Sequence, residues 1–315
     1  MTVTATDIRA AAATLDGRII RTPFIKSPML SRILGCDLTL KLENLQHTSS
    51  FKARGAYMAM QALDDAARQR GVITMSAGNH AQAVAYHASM MGIPATIVMP
   101  AQTPFAKVSR TRAFGANVVL EGRNLNECEG TVNRLISEHR FTLIHPYDDE
   151  LVVTGQGTAG LEMLSDQDDL DILLVPIGGG GLIGGIATIA RDMRPDIKII
   201  GVQTELYPTM KQAIAGQDIA CGGETLAEGI AVKKPGAVTQ PVVSKHVDDV
   251  LLVDERALEW AVGALVEQQR VVSEGAGAAG IAAIYQHREV FEGKKVGVVI
   301  CGGNIDPRLL ASILN

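Results

Sequence analysis

The sequence predicts an α/β protein built on parallel sheets covered by helices, and three observations predict it. Short β-branched runs alternate with Ala-rich segments along nearly all 315 residues, and such alternation buries its apolar faces by pairing strands in parallel with helices on both sides. Runs such as ILLVP and VGVVI are apolar throughout, as suits central strands covered on both faces. Hydrophobic residues make up 47% of the chain and charged residues 20%, enough for a sizeable core and too apolar for a disordered protein.

In chain order, strands are expected at 37–42, 71–75, 95–99, 117–120, 172–176, 198–202 and 295–300. Helices are expected at 79–91, 155–164, 254–270 and 274–287, where apolar residues recur at helical spacing. A length of about twice the usual ~150 residues suggests two domains. The charged stretch near 64–70 and the HPYDDE segment at 145–150 read as seams. Residues 66–147 then form a small domain inserted into a larger one made of 1–65 and 148–315. Ligands of open parallel sheets gather beyond the carboxyl ends of the strands, so the loops leaving those ends carry the functional expectations.

Composition narrows the function classes. With 29 basic against 34 acidic residues the net charge is −5, leaving no basic surplus for a nucleic-acid partner. Four cysteines without a C-x-x-C pair give neither a disulfide framework nor a zinc site. The amino terminus lacks a signal-peptide layout and no apolar run nears the ~18 residues of a membrane span, so the expectation is a cytoplasmic protein with no membrane partner.

Three loops are unusual. After ILLVP come Gly178, Gly179, Gly180 and Gly181, opening an Ala-rich helix. Their backbone N–H groups can close on an anion at a helix amino terminus, the form of a phosphate cradle. Gly179, Gly181 and Gly184 also satisfy G-x-G-x-x-G, with Glu205 after the next strand, so a dinucleotide-dependent dehydrogenase is a competing reading. The second loop is Ser76, Ala77, Gly78, Asn79 and His80, which reads either as a nest for a carboxylate or hydroxyl or as a helix cap. In the third, Ser49, Ser50 and Phe51 lead into a helix whose first turn holds Lys52. There the helix dipole disfavours the ammonium form, as suits an amine nucleophile.

Taken together, SFKARGA, SAGNHAQAVAY, PIGGGGLIGG and CGGNID, in that order, resemble the fold-type II pyridoxal-phosphate enzymes of the tryptophan synthase β kind. The subgroup they are most similar to is the threonine/serine ammonia-lyases (dehydratases) and serine racemases, and similar wording runs through essentially the whole chain. The resemblance implies a two-domain fold and pyridoxal 5'-phosphate as cofactor. It implies Lys52 as the amine joined to the cofactor aldehyde and as the base for the α-proton. Phe51 flanks the cofactor ring, Asn79 bonds its phenolic oxygen, and Gly178, Gly179, Gly180 and Gly181 hold its phosphate. Cys301 faces the pyridine nitrogen, and Ser76, Ala77, Gly78, Asn79 and His80 receive the substrate carboxylate. A homodimer or higher homo-oligomer is expected on the same ground.

Departures from the family pattern refine these expectations. A thiol at Cys301, in place of the more frequent serine, is a weaker donor and acceptor and cannot protonate the ring nitrogen as an aspartate does. Ala77 stands where similar serine racemases carry a serine that handles the proton on the opposite face, so elimination is expected over racemisation. Where relatives place acidic metal ligands this chain has Gln203, Tyr207 and Thr209, and no metal is expected. The chain stops at Asn315, and no carboxyl-terminal regulatory domain is expected. The implied activity is dehydration and deamination of a 3-hydroxy amino acid, L-threonine or L-serine, to a 2-ketoacid and ammonia. Threo-3-hydroxyaspartate dehydration, serine racemisation and a non-catalytic cofactor-binding regulatory role are the alternatives.

Overall fold

The computed structural model of the chain describes residues 3–315. Ten strands are formed among the described residues: β1 (Phe24–Lys26), β2 (Asp37–Lys41), β3 (Val72–Met75), β4 (Ala95–Met99), β5 (Asn117–Leu120), β6 (Thr142–Leu143), β7 (Ile172–Pro176), β8 (Lys198–Thr204), β9 (Asp249–Val253) and β10 (Lys295–Val299). They make a six-stranded sheet in the order β1-β2-β10-β7-β8-β9 and a four-stranded sheet in the order β5-β4-β3-β6. All pairs are parallel except the edge pair β1–β2.

Strands β7 and β10, the ILLVP and VGVVI runs, occupy the middle of the large sheet, where helices cover both faces. The anticipated strands all form, each within one or two residues of the expected ends. Three more were not anticipated. β1 and β6 have three and two residues, too short to show a period, and β9 is a short apolar run that periodicity alone does not mark as a strand. Helix Glu150–Asp166 begins earlier than expected because the Asp149 carboxylate caps it, accepting from the Val152 N–H. The helix expected over 254–270 is α-helical over Glu255–Ala264 and closes with a single π turn, Leu265–Gln269.

Each sheet has its own apolar core. The larger core joins strands of the six-stranded sheet to the helices Gly181–Met193, Glu255–Ala264 and Gly275–Gln286. The core of the four-stranded sheet also takes in Ala56, Ala59 and Met60 from helix Lys52–Gln61 and Val152 from helix Glu150–Asp166. Packing is therefore shared across the expected seam near residue 65, because the helix that begins at Lys52 lies against helix Asn79–Met91. Among the described residues no helix is long and apolar enough to cross a membrane.

Candidate active site

Lys52 is the first residue of helix Lys52–Gln61. The loop that delivers it is stitched to the segment after β10: the Phe51 N–H donates to the Cys301 carbonyl (3.1 Å), the Gly303 N–H donates to the Ser49 carbonyl (2.9 Å), and Ser50 pairs with Gly302 as an isolated bridge. Ser49 sits at φ 55°, a left-handed conformation that a non-glycine residue keeps only when its surroundings fix it. The Lys52 Nζ donates to the Pro146 carbonyl (2.6 Å) and lies 5.0 Å from the centre of the Phe51 ring. Burial lowers its pKa to about 8, with the thiol of Cys301 and the carboxyl of Glu274 opposing the shift. Burial is the largest cause of this shift, where the sequence suggested the helix dipole.

The loop after β3 carries the second group of residues. Helix Asn79–Met91 starts at Gly78 without a side-chain cap. The Ser76 hydroxyl accepts from the Gly78 N–H (3.3 Å) within the loop. The Asn79 side chain does not cap the helix either: its Nδ2 donates to Glu274 Oε1 (2.7 Å) and its Oδ1 accepts from Asn304 Nδ2 (2.8 Å). The helix start thus keeps its first-turn N–H groups for an anion. His80 is buried, and its Nε2 bonds the Ile144 carbonyl (2.9 Å). A carbonyl only accepts, so Nε2 carries the proton. Burial pushes the His80 pKa down to about 3, so the ring is neutral and ties the helix start to the chain beyond β6.

The glycine loop after β7 closes the site from the large sheet. Helix Gly181–Met193 starts at Gly180, which has φ 98° and no side-chain cap. The Gly179 carbonyl accepts from the Thr239 hydroxyl (2.5 Å), and since the peptide is trans, the Gly180 N–H points the opposite way. A Cβ on Gly179 would run into the ring of Tyr147, and one on Gly180 would lie 2.7 Å from Met210 Cε and 2.8 Å from Thr239 Oγ1. Tyr147 follows Pro146, the partner of Lys52, so the amine and the glycine loop meet through adjacent residues. A deprotonatable amine beside an uncapped, glycine-lined helix terminus is a donor set that fits a phosphorylated aldehyde.

Cys301 follows β10 and is buried, and desolvation raises its pKa well above the ordinary thiol value, so it stays a neutral thiol. Glu274 is the main residue that sequence reasoning missed. An acid before the apolar run GAGAAG reads as a helix cap, yet its side chain makes no cap and turns to Asn79. Burial raises its pKa. Asn304 lay within a quoted motif without an assigned role.

A buried charge cluster supports the turn that carries Lys52. Arg54 donates to Glu43 (2.7 and 2.9 Å), Glu162 (2.6 and 2.9 Å) and Thr158 (3.0 Å), and Lys41 Nζ donates to Glu162 (2.5 Å) and the Thr22 carbonyl (2.7 Å). Elsewhere, the Gln203 Oε1 accepts from the Met210 and Lys211 N–H groups, and Thr209 and Tyr207 donate their hydroxyls to backbone carbonyls. These polar groups thus serve the local backbone. Two surface grooves, one beside Phe24 and Gln167 and one beside Trp260 and Ile313, share no residue with the site.

Comparison with known proteins points to one family. Residues 15–302 match the model of a family described as pyridoxal-phosphate dependent enzyme. An L-threonine ammonia-lyase of Thermotoga maritima is 45% identical over 315 residues, 99% of this chain and 78% of its own. Among solved structures, the threonine deaminase of T.th. superimposes with a TM-score of 0.91 at 37% identity, over 96% of this chain and 99% of its own. Maize serine racemase superimposes with a TM-score of 0.94 at 34% identity, over 99% and 97%.

Proposed function

Because the chain belongs to the pyridoxal-phosphate dependent enzyme family, we propose that it removes water and then ammonia from a 3-hydroxy amino acid, L-threonine or L-serine. The observation that carries this reading is the half-buried Lys52 amine, its pKa lowered to about 8, set beside the glycine cradle. Identity to a threonine ammonia-lyase over nearly the full length points the same way.

When bound, pyridoxal phosphate supplies an aldehyde that condenses with amines and an electron-withdrawing ring that makes an amino acid's α-proton removable. The backbone N–H groups of Gly178, Gly179, Gly180 and Gly181 would hold its phosphate, Phe51 would flank its ring, and Asn79 would meet its phenolic oxygen. The amine of Lys52 serves as its covalent anchor. As a free amine Lys52 would take the α-proton, for which a pKa near working pH is well matched. Residues 76–80, at an uncapped helix start, receive the substrate carboxylate. Cys301 stays uncharged by the pyridine nitrogen and donates no full proton to it. Ala77 has no transferable proton, so nothing at that position reprotonates the α-carbon from the opposite face. Breaking the α-C–H and β-C–O bonds releases water and an enamine, which water hydrolyses to the 2-ketoacid and ammonia.

Two lobes, residues 66–147 and the remainder, share the work: the carboxylate loop lies on the four-stranded sheet and the phosphate cradle on the six-stranded one. We propose that they close on substrate. The Lys107–Glu228 ion pair already spans the two. Assembly as a homo-oligomer is supported by family resemblance alone. Incubation with L-serine and L-threonine tests the reaction. Pyruvate and 2-oxobutyrate are expected, absent in Lys52→Ala; D-serine formed faster than pyruvate makes the chain a racemase instead.

A further inference from the structure

The Asn79 amide is held with a defined polarity by residues that have no role in the proposed site so far. Asn304 Nδ2 donates both to the backbone carbonyl of Thr48 (2.9 Å) and to Asn79 Oδ1 (2.8 Å). A carbonyl oxygen can only accept, so Thr48 decides which end of the Asn304 amide faces it. Both hydrogens of that amide are then committed, and Asn79 must offer its oxygen to the second. Turned that way, Asn79 Nδ2 gives one hydrogen to Glu274 Oε1 (2.7 Å) and keeps the other. The two ends of an amide are nearly the same in shape, so packing alone does not choose between them. Glu274 accepts from the other end of the Asn79 amide and favours the same polarity, and the Thr48 carbonyl, which can only accept, enforces it independently of that carboxyl.

We propose that Asn304 is a positioning residue which, keyed by the Thr48 carbonyl, fixes the Asn79 amide with an N–H rather than its oxygen available to the phenolic oxygen of pyridoxal phosphate. This rests on the reading of Asn79 as the partner of that oxygen. The polarity matters because an anionic phenolic oxygen is stabilised by a donor and repelled by a carbonyl. The same contacts join three loops, since Thr48 precedes Lys52, Asn79 follows β3 and Asn304 follows β10. The cofactor's anchor and its phenolic contact are thereby set by one amide.

The test compares the holoenzyme as wild type, Asn304→Asp, Asn304→Leu, Asn79→Ala, and each Asn304 change combined with Asn79→Ala. The readout is the pH midpoint of the visible absorbance band of the Lys52-linked cofactor. Losing a donor to the phenolic oxygen raises the proton affinity of the neighbouring linkage, so Asn79→Ala is expected to raise the midpoint by about one pH unit, a tenfold change. Asn304→Asp cannot donate to Asn79 and places an acceptor against its oxygen, so the amide loses the contact that fixes it. It is expected to raise the midpoint as well, by clearly more in wild type than in the Asn79→Ala background, where only its added charge remains. The neutral Asn304→Leu is expected to shift the midpoint upward in wild type and not in Asn79→Ala. Equal shifts in both backgrounds, or none, overturn the inference. Mass analysis of borohydride-reduced wild type separates the two failures. An adduct on Lys52 without coupling overturns the role of Asn304 alone, and an adduct elsewhere or absent overturns the functional reading and this inference with it.

Discussion

Replacing Arg54 by leucine tests whether the buried charge cluster holds the first turn of the Lys52 helix. Arg54 is fully buried, as is Glu43, and its guanidinium makes five hydrogen bonds to Glu43, Glu162 and Thr158. Without it Glu162 keeps Lys41, but Glu43 keeps only the Thr22 hydroxyl (2.5 Å). Removing one partner of a buried ion pair costs about 3–5 kcal/mol, which corresponds to roughly 5–8 °C in Tm for a chain of this size. The pH dependence follows from the Glu43 carboxyl. Burial alone would raise its pKa, but the charge and hydrogen bonds of Arg54 bring it below the usual value. In the wild type this carboxylate therefore contributes stability above its unfolded pKa, lost as pH falls through the lower folded one. In the variant, with desolvation opposed only by Lys41 and the Thr22 hydroxyl, the folded pKa lies above that of the wild type, so the deficit shrinks as the medium becomes more acidic and a proton replaces the guanidinium. Urea unfolding of wild type, Arg54→Leu and the Arg54→Leu, Glu43→Gln pair at pH 7 and pH 5 measures this. A loss below about 1 kcal/mol at pH 7, or no recovery on neutralising Glu43, refutes the reasoning.

Two further outcomes are expected. The Lys52 amine of the cofactor-free chain should react with an amine-directed reagent with a midpoint near pH 8, followed by peptide mass analysis, and a midpoint in the ordinary lysine range contradicts its desolvation. Because that pKa is lowered on folding, the unfolded chain binds more protons between about pH 8 and the usual lysine pKa of ~10.4, so this group makes stability rise with pH across that window. Gly179→Ala, whose new methyl meets the Tyr147 ring, should weaken pyridoxal phosphate binding by about tenfold, from the ~1–3 kcal/mol cost of overpacking. Adding Tyr147→Ala should recover part of it in a cofactor titration, and unchanged affinity in Gly179→Ala alone removes the tight cradle from the account.

Much of the fold was legible because its signals are local. An apolar run such as ILLVP marks a doubly covered strand wherever it lies, and four glycines before a helix mark a close backbone approach. Helix Asn79–Met91 has the bounds its periodicity predicts. The edge strands β1 and β6 were not legible, since two or three residues carry no period and pair only because a neighbour is already in place. His87 is buried against Tyr57 and Tyr86, a setting that nothing in its flanking residues announces.

By itself the sequence determined the class of fold, because residue type and spacing suffice for that, and through its resemblance to a family it singled out the loops and the lysine proposed to carry the chemistry. Only the tertiary structure decided the state of that amine, which is set by burial beside Pro146, Cys301 and Glu274, residues 94 to 249 positions away. It also decided the partners of Asn79, at Glu274 and Asn304, and the enclosure of Arg54 by Glu43 and Glu162. Desolvation and hydrogen-bond polarity depend on what surrounds a group in space, and the surroundings here come from loops that parallel strands bring together from distant parts of the chain.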